Sequence, residues 1–392
     1  MLHFVLAPDS LKGSLSAAAA CAVMECGARR ALGRIPCHFS AVPLADGGEG
    51  TVAALLQGAG GELRTAVVHG PLGDPVEAQW GVLPNGRAII EMAQASGLTL
   101  VSPAQRRAGE ASSYGTGELI CAALNAGCRD LLVGIGGSAT TDGGAGALQA
   151  LGARLLDAQG QDLPPGGAAL NRLEKIDLAH LDARLGATTI TVLCDVTNPL
   201  CGPQGAAPIY GPQKGATPQD VANLDAALDH FAAVAAATTG RDFAKEAGAG
   251  AAGGMGFGLM TFLGAQLKPG INVVLEATHL AEKLETADLV LTAEGAVDAQ
   301  TLRGKALAGV ARAACAAKHR AGVPVIAFGG AVSLSGEQLQ DLGIVAALPL
   351  PDAPLPLEEC IARAADLLAD ATERAVRLWL CGRGAFLESG AL

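Results

Sequence analysis

The chain has 392 residues, roughly two to three times the length of a typical domain, so two domains with sizeable cores are expected. A net charge of -11, with two Trp and two Tyr, excludes a polyanion held by a broad positive field or by base stacking, and no nucleic-acid partner is expected. No run of about eighteen apolar residues occurs, and the start "MLHFVLAPDS" has neither a basic region nor a long apolar core, so no membrane partner and a cytoplasmic location are expected.

Residues 3–8, "HFVLAP", read as a strand closed by Pro, and "DSLKGSLSAAAACAVMECGARRAL" follows as a loop and a Ser-capped helix. The same grammar recurs in "HFSAVPL" (38–44), "ADGGEG" and "TVAALLQGAG". Two such units in succession predict parallel strands with their loops on one edge. From about residue 62, alternating stretches separated by "PLGDP" and "PNG" predict antiparallel hairpins.

Next, "SSYGTGELICAALNAGCRDLLVGIGGSATTDGGAGALQALGARLL" reads as helix, strand, glycine loop and helix. "TTITVLCDV" (188–196) is a strand, and "TNPLCGPQGAAPIYGPQKGA" after it is too rich in Pro and Gly for regular structure. The βα grammar then returns with "ADLVLTAEG" (287–295) as a strand and its loop and "VPVIAFGGAV" (323–332) as another strand. The predicted fold is α/β with a discontinuous Rossmann-like parallel-sheet domain, 1–64 and 268–392, and an inserted second α/β domain, 65–267. The active site is expected in the cleft between them. Ten scattered cysteines with no CxxC pair are expected to be buried free thiols, and the seven histidines to be structural.

In an open parallel sheet, ligands sit beyond the carboxyl ends of the strands. The residues after the predicted strands are Asp9, Ser10, Lys12 and Ser14; Asp46, Gly47, Gly48 and Glu49; Glu294, Asp298, Thr301 and Lys305; and Gly329 and Gly330. Each taken singly also suits a helix cap. Their repetition along one edge suits phosphoryl transfer: cations and N–H groups for phosphate oxygens, carboxylates for magnesium and for the proton of an attacking hydroxyl.

"GIGGSATTDGGAG" adds Gly136, Gly137, Ser138 and Thr140 as phosphate contacts and Asp142 as a metal candidate. Asp195, at a strand end, suits a base or a metal ligand, and Lys214 in "PQKGA" is a cation able to reach a cleft.

Rival readings exist. "GIGGSA" (134–139) with Asp157, and "GAGAAG" (248–253), match dinucleotide fingerprints, although the second follows no strand. No GxxxxGK[ST] and no GxSxG is present, which argues against a Walker-type nucleotide binder and a Ser-His-Asp hydrolase.

"APDSLKGSLSA", "PLADGGEGT", "AIIEMAQASGL", "SYGTGELI", "GIGGSATTDGGAGALQALG", "CDVTNPLCGPQGAA", "GPQKGA" and "GAGAAGGMGFGL", with residues 293–305, resemble the bacterial glycerate kinase family, in order and over nearly the whole chain. The resemblance implies ATP-dependent, magnesium-assisted phosphorylation of D-glycerate, commonly to 2-phosphoglycerate, in glycolate, glyoxylate and sugar-acid breakdown. D-Glycerate and ATP are then the small-molecule partners, and a homo-oligomer stays open.

Three residues depart from the family pattern: Ala293 stands in place of a Gly, Ala296 in place of a basic residue and, more mildly, Thr141 where Asn is common. The altered "AEGAVD" loop favours a third reading, a noncatalytic ligand-binding relative. On the catalytic reading, Asp195 or Asp46 accepts the hydroxyl proton, Lys214 and Lys12 stabilise charge near the transferred phosphoryl, Glu294 and Asp298 hold the metal, and the domains close on substrate.

Overall fold

The computed structural model describes residues 1–11, 13–299, 301–303, 306–317 and 322–383. In chain order its strands are β1 Leu2–Leu6, β2 Cys37–Ala41, β3 Glu62–His69, β4 Pro75–Val82, β5 Ala88–Glu91, β6 Asp130–Gly134, β7 Arg154–Leu156, β8 Lys175–Asp177, β9 Thr189–Leu193, β10 Gln266–Lys268, β11 Leu289–Val297, β12 Val325–Val332 and β13 Ala346–Pro349. The residues fall into two compact units, one of Met1–Ala45, Ala53–Ala59 and Ile271–Leu392, the other of Asp46–Val52 and Gly60–Gly270.

The first unit holds a five-stranded sheet in the order β13-β12-β11-β1-β2, parallel throughout. The central strands are buried on both faces over Phe4–Leu6 of β1 and Leu289–Ala293 of β11, which is why these stretches read as mostly apolar runs rather than as alternation. On one face Phe4, Leu6, Leu289, Leu291 and Phe328 pack with Met24 and Leu367 from the helices Ala17–Leu32 and Ala364–Gly382. On the other, Val5, Val290, Val325 and Ala327 pack with Leu307, Val310 and Ile271. Renumbered within the unit, the strand order is 2-1-3-4-5, a doubly wound Rossmann-like arrangement.

One stretch differs from its sequence reading. Residues 294–297, expected in a loop, continue β11, because Glu294, Ala296 and Val297 stay in register with Gly329, Ala331 and Val332 of β12. Gly329 and Gly330 accordingly lie within β12, not after it.

The second unit contains a six-stranded mixed sheet, β10-β9-β6-β5-β4-β3. Strands β3, β4 and β5 form the two antiparallel hairpins, closed at "PLGDP" by Gly70 N–H donating to Asp74 O (2.6 Å) and at "PNG" by Leu83 N–H donating to Arg87 O (2.9 Å). The pairs β5–β6, β6–β9 and β9–β10 are parallel. The pair β7–β8 forms a small antiparallel ribbon.

The "ADGGEG" loop groups with this unit, whereas a division at residue 64 puts it in the other. The Pro- and Gly-rich stretch after β9 also holds a short helix, Ala206–Tyr210, and a 3-10 turn, Pro212–Lys214. The cysteines are free thiols, and Cys26, Cys315 and Cys381 are exposed, contrary to the expectation that all are buried. Among the described residues no helix is long and apolar enough to cross a membrane.

Candidate active site

Within the second unit, a cavity of about 380 Å³ opens at the carboxyl ends of the parallel strands β6 and β9. Gly136, Gly137 and Ser138 reach it from the loop after β6, Asp195 from the loop after β9, Asp46 and Gly48 from "ADGGEG", and Lys214 from its 3-10 turn. Seven of the residues singled out in the sequence thus meet on one cavity.

Lys214 is the most constrained of them. Its residue is 2% exposed, and its Nζ donates to Ser138 Oγ at 2.9 Å and to the Thr140 carbonyl at 2.6 Å. Two oxygens satisfy part of the ammonium's donor capacity, leaving one of its three hydrogens available. Burial lowers its pKa to about 7, with the nearby Asp142 charge opposing the shift. Asp195 and Asp46 remain exposed to solvent. Asp195 accepts from Gly270 N–H at 2.9 Å, and Asp46 accepts from Gly48 N–H at 3.2 Å.

Two glycine loops hold these groups in place by direct backbone packing. Gly136 N–H donates to Gly47 O at 3.0 Å, and a Cβ on Gly136 would stand 2.7 Å from Gly48 Cα. Behind "ADGGEG" lies Glu91, at the end of β5 and 1% exposed, whose carboxylate accepts from Gly50 N–H (3.2 Å) and Val52 N–H (2.5 Å). Burial raises its pKa, and those same two donors oppose part of the rise.

Glu91 was not among the sequence candidates. Its signal was a carboxylate closing an otherwise apolar strand, "AIIE". Tyr210 was missed as well; it lines the cavity and donates its hydroxyl to Asn198 Oδ1 at 2.7 Å.

Other candidates lie elsewhere or serve the scaffold. Asp142 is fully buried, and its oxygens accept from Ser113 N–H and Oγ–H, Gly144 N–H and Gly146 N–H. A metal there would have to displace these donors, so Asp142 reads as the anchor of the glycine loop instead. Thr140 contributes its carbonyl to Lys214, while its buried hydroxyl finds no partner among the described residues. Glu49 accepts from Thr99 Oγ1 at 3.0 Å.

In the first unit, Asp9 accepts from Ser10 N–H at 2.6 Å, and Ser14 donates its hydroxyl to Leu11 O. Thr301 donates its hydroxyl to Glu294 and accepts from Asp298 N–H at 3.1 Å, tying together the loop after β11. Lys12 and Lys305 lie outside the described residues.

The dinucleotide fingerprints have other uses. After "GIGGSA" the next helix begins only at Ala145, and Asp157 holds a tight turn by accepting from Gln159 and Gln161 N–H. "GAGAAG" enters the helix Ala251–Leu263, where a Cβ on Gly253 would collide with Thr140 O at 2.0 Å. These glycines allow backbone to pack on backbone.

The sequence profile of the Glycerate kinase family matches residues 4–380. This chain belongs to the glycerate kinase family. It is 46% identical to the glycerate kinase of Bacillus subtilis over 94% of this chain and 95% of that one. It is 47% identical to the glycerate 2-kinase of Escherichia coli K12, with 88% and 87% covered. A crystal structure from Salmonella typhimurium LT2, provisionally designated glycerate kinase 2, superposes with a TM-score of 0.86 at 44% identity, covering 98% of this chain and 99% of that one.

Proposed function

We propose that the protein transfers the terminal phosphoryl group of ATP to a hydroxyl of D-glycerate, in the cytoplasm, giving 2-phosphoglycerate and ADP. The observation that carries this reading is the meeting of a buried lysine and two solvent-accessible carboxylates on one cavity in a chain of this family. Asp195 takes the proton of the attacking hydroxyl; the hydroxyl oxygen bonds to the γ-phosphorus as its bond to the β-bridging oxygen breaks. Lys214 and the backbone N–H groups of the 136–138 loop offset negative charge on the transferred group.

Among the described residues no three acidic, His or Cys side chains gather into a complete metal cage. Magnesium bound with nucleotide phosphates needs only one or two carboxylates and keeps several waters; Glu294 and Asp298, both joined to Thr301, would supply them. When bound it would neutralise phosphate charge and order the phosphates.

The test is ATP consumption with D-glycerate and magnesium, with phosphorus NMR of the product. A 2-phosphoglycerate resonance is expected. A 3-phosphoglycerate resonance would correct the regiochemistry, and the absence of any phosphoglycerate from folded protein would overturn the reading.

A further inference from the structure

On one face of the first unit's sheet, side chains shrink toward the carboxyl ends of two neighbouring strands. Along β11 the row runs Leu289, Leu291, Ala293, Gly295, and along β12 it runs Ile326, Phe328, Gly330. The period of two puts each row on a single face, and the larger members form the core beneath the helices Ala17–Leu32 and Ala364–Gly382. The two glycines instead are exposed, and bare backbone floors a groove of about 90 Å³ walled by Leu11, Leu350, Leu357 and Ile361.

The place of this groove in the fold is informative. β2 lies on one side of β1, while β11, β12 and β13 follow in succession on the other. The chain therefore reverses its direction of travel across the sheet at β1–β11, and doubly wound sheets bind ligands outside the strand ends at such a point. Leu11 follows β1 and Gly295 lies on β11, so the groove sits there.

Its chemistry selects the ligand. Among the described residues the lining is apolar apart from Ser14, whose hydroxyl donates to Leu11 O, and Cys360. A flat floor between apolar walls suits the face of a planar ring. At about 10–15 Å³ per water, the volume takes a group of roughly six to nine heavy atoms. The mouth is open, with Leu357 75% and Ile361 38% exposed, so a bicyclic ring fits with one edge in solvent.

We propose that this groove receives the adenine ring of the nucleotide donor, an inference that rests on the kinase reading. Gly295 offers the test: its Cβ position has no neighbour within 4 Å and its φ is not positive, so Gly295→Val fills the groove without straining the strand. The expected result is a rise of tenfold or more in KM for ATP, with KM for glycerate within about twofold and the urea midpoint unchanged. Leu357→Glu, on an exposed helix position, is expected to act in the same direction and guards against a folding defect in the first variant.

Wild-type protein that phosphorylates glycerate while both variants keep its KM for ATP would overturn the groove and leave the kinase reading standing. If the wild type does not turn over, the kinase reading fails instead. Titration with a fluorescent ADP derivative then decides the groove separately: weaker binding by the variants supports it, and equal affinity for wild type and variants overturns it.

Discussion

Lys214 holds its Nζ 2.9 Å from the Ser138 hydroxyl while burial brings its pKa down to about 7. On the proposed mechanism the protonated form is the one that offsets phosphoryl charge, and in the free protein it is lost as pH rises through neutrality. We expect kcat/KM for glycerate to fall above about pH 7, and Lys214→Met to lose that limb together with about 10²–10³-fold in kcat. A pH profile of both proteins checks this. A wild-type profile flat from about pH 6 to 9 would remove Lys214 from the charge-bearing role.

The same shift has a consequence for stability. The unfolded chain keeps the Lys214 proton up to the ordinary value of 10.5, whereas the folded protein releases it at about 7. Between those values the unfolded state binds more protons, so this lysine's destabilising contribution, full below about pH 7, diminishes as pH rises. Urea midpoints of the wild type relative to Lys214→Met should therefore climb from pH 7 towards 10. A constant difference would mean that water reaches the ammonium.

Asp195 and Asp46 face the same cavity, and substitution separates their roles. Asp195→Asn keeps an oxygen for the Gly270 N–H but cannot take a proton. It is expected to lower kcat by about 10²–10⁴ with KM for glycerate within a few-fold, while Asp46→Asn acts mainly on KM. Steady-state kinetics of the two variants decides the assignment. The reverse pattern would make Asp46 the base.

Much of this site was legible because parallel-sheet grammar places strand-end loops on one edge. Asp46, Ser138 and Asp195 could be selected by their position just past the apolar runs, and Lys214 from the Pro/Gly loop around it. The sequence was silent about where a side chain's bonds go: Asp142 looks like a metal ligand in "TTDGG", yet four protein donor groups already surround it. Glu91 was passed over because an acid after "AII" reads as a strand end, and its partners Gly50 and Val52 lie some forty residues earlier. The strand continuation at 294–297 was hidden for a similar reason, since only pairing with β12 keeps those polar residues extended.

Glu91 fastens the "ADGGEG" loop through two backbone donors, so its effect should appear in substrate binding as well as in stability. Glu91→Gln turns one acceptor into a donor facing an N–H and should cost about 1–3 kcal/mol, with a raised KM for glycerate. Because burial raises the pKa of the folded carboxyl above its ordinary 4.5, its contribution is fullest below that value and is lost as pH rises through the folded pKa. Denaturation of both proteins from about pH 4 to 8 should show the wild-type advantage shrinking with pH. An advantage that grows would mean that the two N–H bonds outweigh desolvation.

Gly136 tests whether close packing of the two glycine loops matters to the site. Its φ is not in the left-handed region, so Gly136→Ala acts only through contact, placing a methyl 2.7 Å from Gly48 Cα and 3.2 Å from Gly47 O. Both neighbours are backbone, so the "ADGGEG" loop must move, carrying Asp46 with it. Overpacking of this kind costs about 1–3 kcal/mol, and KM for glycerate should rise along with it. Gly186→Ala is the matched control, since no atom lies within 4 Å of its Cβ position and its φ is not positive either. Urea denaturation and glycerate kinetics of the pair give the answer. If Gly136→Ala is indistinguishable from Gly186→Ala in both, the loops are not held by that contact, and the placement of Asp46 rests on Glu91 instead.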